Sequence, residues 1–451
     1  MRRLSAAGIP VLLALAAVVA LGAGLRAHRA ANPPVQVQSA DERSYAKLAV
    51  GLSRRGTWGD RATGLRRPLH WPPGAPVMFA TAQQLFPDAE AEQRLELPAA
   101  YWAQALVGTG MVLAVFALGA LLAGSAAGLV AAAVMAVYPP LVRSTGELLS
   151  EPLGAAALTV AAAALVWGLR RGPPWRLLPA GVLFGLAVLV RADLLFAPFL
   201  CAALLGVVLW RREGLRAGLL GAGALAAGAL VAIAPWSVYA SSRAGELVPV
   251  TQGDASALFV GTYLPGDGTT QGLKRELGAE AQRRNPKLRG RSVQAIEATA
   301  VLGVVAARHP ELDREQAIRK EALRNLDRYA LGDPLAFAGM MASKLRRMWL
   351  RSSRAGSPVA NQGTRAFHTV IVLLSLLGLV AGLVLGGRER LGLAMLAVIL
   401  GYSTVLHAVV VAKPRYNLPL MPLLVAGGVA GAALAGAQLR ARRATRPAPG
   451  G

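Results

Sequence analysis

The chain has 451 residues, 54% of them hydrophobic and 16% charged, and a formal net charge of +24. Soluble domains carry roughly 25% charge, so this composition excludes a string of water-soluble domains and points to a polytopic membrane protein. Nucleic-acid binding is excluded as well, because the arginines sit in short clusters beside apolar runs: Arg2-Arg3, Arg170-Arg171, Arg211-Arg212, Arg388 with Arg390, and Arg440 through Arg446. That pattern is the positive-inside rule, not a phosphate-binding stripe.

Hydropathy predicts an all-α chain with about ten spans. They fall at 9–26, 100–123, 125–141, 148–169, 177–191, 193–210, 217–236, 367–386, 391–411 and 418–438. The opening run "MRRLSAAGIPVLLALAAVVALGAGLRAHRAANPP" has the basic start and apolar core of a secretory signal. Its end reads Arg-Ala-His-Arg-Ala rather than small-x-small, so it is expected to remain as the first span. With Met1 inside, every arginine-rich turn falls on the cytoplasmic side of the cytoplasmic membrane, and both termini are cytoplasmic. The only cysteine, Cys201, lies in an apolar segment, so no disulfide can hold the outer loops.

The expected organisation is an N-terminal transmembrane module, 1–236, with a first extracytoplasmic loop at about 28–98. An extracytoplasmic, mostly helical region follows at 237–366, then C-terminal spans at 367–438 and a disordered basic tail at 439–451. Within the long loop, "ELDREQAIRKEALRNLDRYA" reads as a helix with Leu312, Ala317, Ala322, Leu323 and Leu326 among i,i+4 charge pairs. After Gly332-Asp333-Pro334, "LAFAGMMASKLRRMWLR" is a basic amphipathic helix suited to a membrane surface.

The candidate site residues collect at the outer ends of the spans. In "SADERSYAKLAVGLSRRG" a helix would put Asp41, Tyr45, Leu48, Ala49 and Leu52 on one face, with Glu42 turned about 100° away. Asp41 reads either as a helix cap or as a functional acid. His70 and Trp71 open a proline-rich elbow, where His70 could be structural or a ligand. "YPPLVRSTGELLSEPLG" brings Tyr138, Arg143, Glu147 and Glu151 to a span junction, with Glu147 and Glu151 four apart on one helix face. An ionisable residue at the membrane edge usually faces a cavity. Arg191 and Asp193 read as an ion pair in a tight turn. Lys413, Arg415 and Tyr416 stand between two prolines before the last span, where outward cations suit a lipid phosphate.

Read together, "ADERSYAKLAVGL", "HWPPGAPVMFA", "STGELLSEPLG", "GLAVLVRADLLFAP", "APWSVYASSRAGELVPVTQGDASALFVGTY" and "KPRYNLPLMPLL" resemble GT-C-fold glycosyltransferases of the protein O-mannosyltransferase and lipid A aminoarabinose-transferase type. The resemblance implies a polyprenyl-phosphate sugar donor, an envelope acceptor and transfer outside the cytoplasmic membrane with inversion. It assigns Asp41, with Glu42, as catalytic acids. Lys413, Arg415, Tyr416 and Arg191 would bind the donor phosphate, and Tyr45, His70, Glu147 and Glu151 would line the cavity. It also allows a divalent metal, for which Asp41, Glu42 and His70 are the candidate ligands. Unlike the better-known members, this chain carries its external bulk between the seventh and eighth spans. The rival readings are a transporter or flippase of lipid-linked intermediates and an inactive scaffold of the same fold. Transporters commonly show internal repeats and broken mid-membrane helices, whereas here no internal repeat is evident and the polar residues collect at the outer ends of the spans.

Overall fold

The computed structural model describes residues 8–34, 39–59, 68–170, 173–351 and 358–444, and among these every regular element is helical. They form two compact units: Met1–Thr251, Ala355–Gly401 and Asn417–Gly451 in the first, Gln252–Arg354 and Tyr402–Tyr416 in the second.

The first unit opens with α1 (Gly8–Ala31), α2 (Ala40–Arg55), α3 (Gly74–Leu85), α4 (Ala89–Gln93), α5 (Pro98–Ala123) and α6 (Ser125–Ala136). It continues through α7 (Pro139–Ser144), α8 (Glu151–Arg170), α9 (Leu178–Val190), α10 (Ala197–Glu213) and α11 (Leu215–Ala244). The second unit holds α12 (Asp254–Thr262), α13 (Thr270–Arg284), α14 (Ala298–Ala306), α15 (Arg314–Asn325) and α16 (Pro334–Leu350). The chain then returns to the first unit with α17 (Pro358–Leu385), and α18 (Arg390–Val409) starts in the first unit and ends in the second. The last helix, α19 (Met421–Ala444), belongs to the first.

Among the described residues eight helices are long and apolar enough to cross a membrane. Two shorter apolar helices, Ser125–Ala136 and Pro174–Val190, fall where two further spans are expected, so the chain is a multi-pass membrane protein. Leu106, Val231 and Leu377 are exposed on these helices, as side chains facing lipid rather than water would be. The segment ending in α19 is the most enclosed, with 78% of its apolar window buried against 6% for α1. Accordingly α19 packs on α5, α6, α8 and α17.

Helix α6 has 12 residues and at ~1.5 Å per residue falls short of a ~30 Å hydrocarbon core. Its last carbonyls are nevertheless satisfied. Arg26 of α1, fully buried, donates to Ala136 O (2.9 Å), Met135 O (3.1 Å) and its own Gly22 O (3.0 Å). The planar guanidinium caps two adjacent carbonyls at once, as its fork geometry allows. Gly108 of α5 makes the room: a Cβ there would stand 2.8 Å from the Arg26 Nε.

Two expectations need correction at the helix ends. Residues 439–444, expected in a disordered tail, continue α19 to Ala444; Arg442 and Arg443 in that last turn favour the helix dipole. Helix α11 likewise runs beyond the expected span to Ala244, closed by Gly245 in the left-handed region at φ 71°. Arg2, Arg3, Arg171 and the tail from 445 lie outside the described residues.

The second unit has its own core, in which Phe259, Leu273, Ile296, Val301, Val305 and Ile318 are buried. Asp313 caps α15, accepting from the amides of Glu315 (2.9 Å) and Gln316 (3.0 Å). Ala317 and Ala322 face the core as expected, but Leu323 is exposed. Glu321 turns inward instead, accepting from Arg324 (2.7 Å) and Arg308 (3.3 Å) and meeting His309 at 2.8 Å. Burial would raise the Glu321 carboxyl; the bonds from His309, Arg324 and Arg308 outweigh it and hold the group below its usual 4.5. On α16 the buried stripe is Phe337, Met340, Lys344 and Met348, so one lysine of the expected surface helix points into the unit.

Candidate functional site

The candidate site residues are divided between the two units. In the first unit they begin at the start of α2. Ser39 and Glu42 make a capping box: the Ser39 hydroxyl accepts from Glu42 N (3.3 Å), and Glu42 Oε2 accepts from Ser39 N (2.8 Å). Capping therefore falls to Glu42, not to Asp41. The second oxygen of Glu42 accepts from Leu148 N at 3.3 Å, which ties α2 to the turn before α8. Asp41 is half-buried on the edge that carries Tyr45.

Tyr45, Leu48 and Ala49 are buried, as the i, i+4 pattern requires. The Tyr45 ring lies 4.9 Å from Trp71 and 6.4 Å from Phe79, and His70 stands edge-on to Trp71 at 4.9 Å. The proline-rich elbow thus delivers its aromatics onto α2. Burial pushes the Tyr45 phenol up, a hydrogen bond with Ser150 opposes this, and Glu151, Arg191 and Asp41 are all within electrostatic reach. Ser150 carries no signal in the sequence; it is found only because the turn before α8 folds against α2.

Glu147 does not share a helix face with Glu151. It sits in a bend, and α8 starts at Glu151. The bend is fixed by Gln104 of α5, whose Nε2 donates to Glu147 O (2.6 Å) and Thr145 O (3.3 Å). Glu151 is buried and lies 3.8 Å from Arg191. Arg191 is itself held by Asp193 through two bonds of 3.1 and 2.8 Å, the bidentate geometry that suits a guanidinium. Gly154, one turn into α8, gives the Arg191 stem its path, since a Cβ would come 2.6 Å from Cδ.

A buried polar chain lies elsewhere in the same unit. Asn417 Nδ2 meets His368 Nε2 at 3.4 Å, and His368 Nδ1 meets the Tyr138 hydroxyl at 2.5 Å. Arg143 donates to Thr364 Oγ1 at 3.0 Å. Sequence reading singled out Tyr138 and Arg143 but not their partners on α17, more than two hundred residues away.

In the second unit the segment after α18 carries the cations. Lys413 Nζ lies 5.9 Å and Arg415 Cζ 5.8 Å from the centre of the Tyr416 ring, so one ring steadies both. His407 packs against that ring at 5.1 Å, and its Nδ1 donates to Ser403 O at 2.8 Å. A further cation, unmarked in the sequence, is Lys274 of α13, which donates to Gln294 O at 3.0 Å. Burial lowers its pKa; Glu297 opposes this, and Lys413 adds to the lowering by repulsion. Among the described residues no group of three His, Cys, Asp or Glu side chains is gathered as a metal would require. Of the three expected ligands, Glu42 is engaged in the capping box and His70 stands edge-on to Trp71.

Residues 72–239 match the family profile described as dolichyl-phosphate-mannose-protein mannosyltransferase. No curated protein matches the sequence. Among solved structures, the Archaeoglobus fulgidus oligosaccharyltransferase in its apo form matches at 14% identity and a TM-score of 0.57, over 96% of this chain and 51% of that one. The same organism's enzyme AglB, in complex with an inhibitory peptide and a dolichol-phosphate, matches at 14% identity and a TM-score of 0.54, over 98% and 52%. The chain thus spans about half the length of these oligosaccharyltransferases. ArnT from Cupriavidus metallidurans bound to undecaprenyl phosphate aligns at 18% identity and a TM-score of 0.41, over 90% and 78%. The fold is the GT-C fold expected from the sequence, and its 72–239 stretch matches the dolichyl-phosphate-mannose-protein mannosyltransferase family.

Proposed function

We propose that this chain is a membrane glycosyltransferase that moves one sugar from a polyprenyl-phosphate carrier to an envelope acceptor. The reading places the reaction on the outer face of the cytoplasmic membrane, with both termini inside and inversion at the sugar. One observation carries it. The mannosyltransferase profile covers Phe79 and the junction at Leu148, against which Tyr45 and Glu42 of the helix that bears Asp41 are seated. Support also comes from the shared fold, one example of which holds a dolichol-phosphate.

In this reading Asp41 takes the proton of the acceptor hydroxyl as its oxygen attacks the anomeric carbon. The bond from that carbon to the carrier phosphate breaks, and its electron pair leaves on the phosphate oxygen. General-base help of this kind contributes roughly 10²–10⁴-fold. Lys413, Arg415 and Tyr416 hold the phosphate and stabilise its growing charge. Glu42, engaged in the capping box, and Arg191, engaged with Asp193 and Glu151, keep α2 and the junction in place. Tyr45, His70, Glu147 and Glu151 line the cavity. A transporter has no observation in its favour.

The test is a transfer assay with the chain reconstituted in lipid, a panel of radiolabelled polyprenyl-phosphate sugars, and cell-envelope extract as acceptor. Label should pass into an acceptor with the wild type and fall by about 10²-fold or more with Asp41→Asn. Full activity in Asp41→Asn would remove Asp41 from the chemistry. No transfer from any donor would favour the inactive scaffold.

A further inference from the structure

Lys344 is fully buried in the second unit, and nothing in the proposed chemistry uses it. Its ammonium has three acceptors: Gly261 O at 2.8 Å, Ala408 O at 2.6 Å and Val409 O at 3.4 Å. Gly261 lies in the last turn of α12 and Ala408 and Val409 in the last turn of α18. Helix C-termini leave carbonyls without intrahelical partners and carry partial negative charge. A single lysine satisfies those of two helices at once, matching three donors to three acceptors. Burial pulls its pKa down to about 7, with Arg347 adding to the lowering.

The same spot is joined by backbone. Gly261 lies so close to the chain leaving α18 that a Cβ would stand 2.3 Å from the Val410 carbonyl carbon. Val411 N donates to Ala257 O at 3.0 Å. The lysine stem runs past Gly268, where φ is +61° and a Cβ would lie 2.6 Å from Lys344 Cδ. Arg347, one turn on, donates to Asp267 O at 2.9 Å and fastens α16 over that turn. Lys413 stands only two residues beyond the last of these ties.

We propose that Lys344 is a positioning residue for the cationic turn: by joining the C-termini of α12 and α18 it sets where Lys413, Arg415 and Tyr416 stand. The functional half of this inference rests on reading that turn as the phosphate clamp. Removing the amine would leave three carbonyls, that of Gly261 buried and those of Ala408 and Val409 half-buried, without their donor and release the chain at Ala408. The turn would keep its residues but lose its place, and misplacement of about 1 Å is enough to cost up to about 10²-fold.

Two measurements on the full chain in lipid nanodiscs test it, using Lys344→Met and, as a milder route to the same displacement, Gly268→Ala. The first is hydrogen exchange by mass spectrometry. Faster exchange confined to 408–416 and 261–268 is expected in both variants. Unchanged exchange at 408–416, or uniform loosening of 252–351, overturns a positioning role. The second is binding of undecaprenyl phosphate, expected to weaken about tenfold in Lys344→Met, and to recover in Lys344→Arg, which restores the charge and the donors. With a donor that the wild type transfers, kcat/KM should fall by at least a similar factor through KM and kcat together, because the turn both holds the phosphate and stabilises its growing charge. Undiminished carrier binding in Lys344→Met, or a fall in kcat alone, overturns the proposal. A wild type that binds no carrier overturns the clamp reading itself, and the exchange pattern then decides the structural tie alone.

Discussion

Arg191 and Lys413 are both half-hidden or hidden cations beside apolar spans, and they are held in opposite ways. Arg191 is buried between two carboxylates, bonded to Asp193 at 2.8 and 3.1 Å and 3.8 Å from Glu151. Lys413 rests on the Tyr416 ring, and among the described residues it is paired with no carboxylate. A carboxylate neutralises a cation, whereas an aromatic face steadies one for about 0.5–1 kcal/mol and leaves its charge intact. A phosphate arriving at Arg191 would have to displace an acid that is already in place. The contrast separates the cations that the resemblance grouped together: on the proposed reading Arg191 is a strut and Lys413 is the cation that meets the phosphate.

The contrast can be broken at its strongest point first. Arg191→Met leaves Glu151 and Asp193 without their cation, and losing one partner of a buried pair costs about 3–5 kcal/mol. Thermal unfolding in detergent should show a large drop; an unchanged Tm would mean that Arg191 is not a strut. Lys413→Ala should leave Tm nearly unmoved and weaken undecaprenyl phosphate binding about 10–100-fold, the worth of about 1.5–3 kcal/mol for a charged hydrogen bond. A fall in Tm without a fall in affinity would reverse the assignment. The smallest effect sharpens the same distinction among the acids. Glu42→Ala removes the capping box and the tie to Leu148, and should cost about 0.5–2 kcal/mol of stability. Asp41→Asn should barely change Tm.

Much of the fold was legible in the sequence because apolar runs of span length can do little else in a bilayer. The ten expected spans correspond to eight long and two short apolar helices. The face of α2 was legible too, since Tyr45, Leu48 and Ala49 follow the helical period. What local pattern could not supply was direction at the helix ends. Asp41 and Glu42 are equally good first-turn acids by composition; Ser39 chose Glu42 because the capping box needs an acid three residues on. The Glu147–Glu151 pairing failed because the helix begins at Glu151, after the bend held by Gln104. Ser150, Lys274 and Lys344 carry no periodic or compositional mark. Lys344 in particular sits among Arg346 and Arg347, where a lysine reads as one more solvated charge.

Arg26 also bears on how the protein is made. Two of the carbonyls that receive its guanidinium belong to residues 109 and 110 positions later in the chain. At roughly 5–20 residues per second, α1 leaves the ribosome about 5–20 s before α6 exists. Until then an arginine near the end of the first span costs up to about 2.5–3.5 kcal/mol in lipid, less as far as it can snorkel to the headgroups. The first span is thus held only provisionally until α6 arrives to receive its arginine.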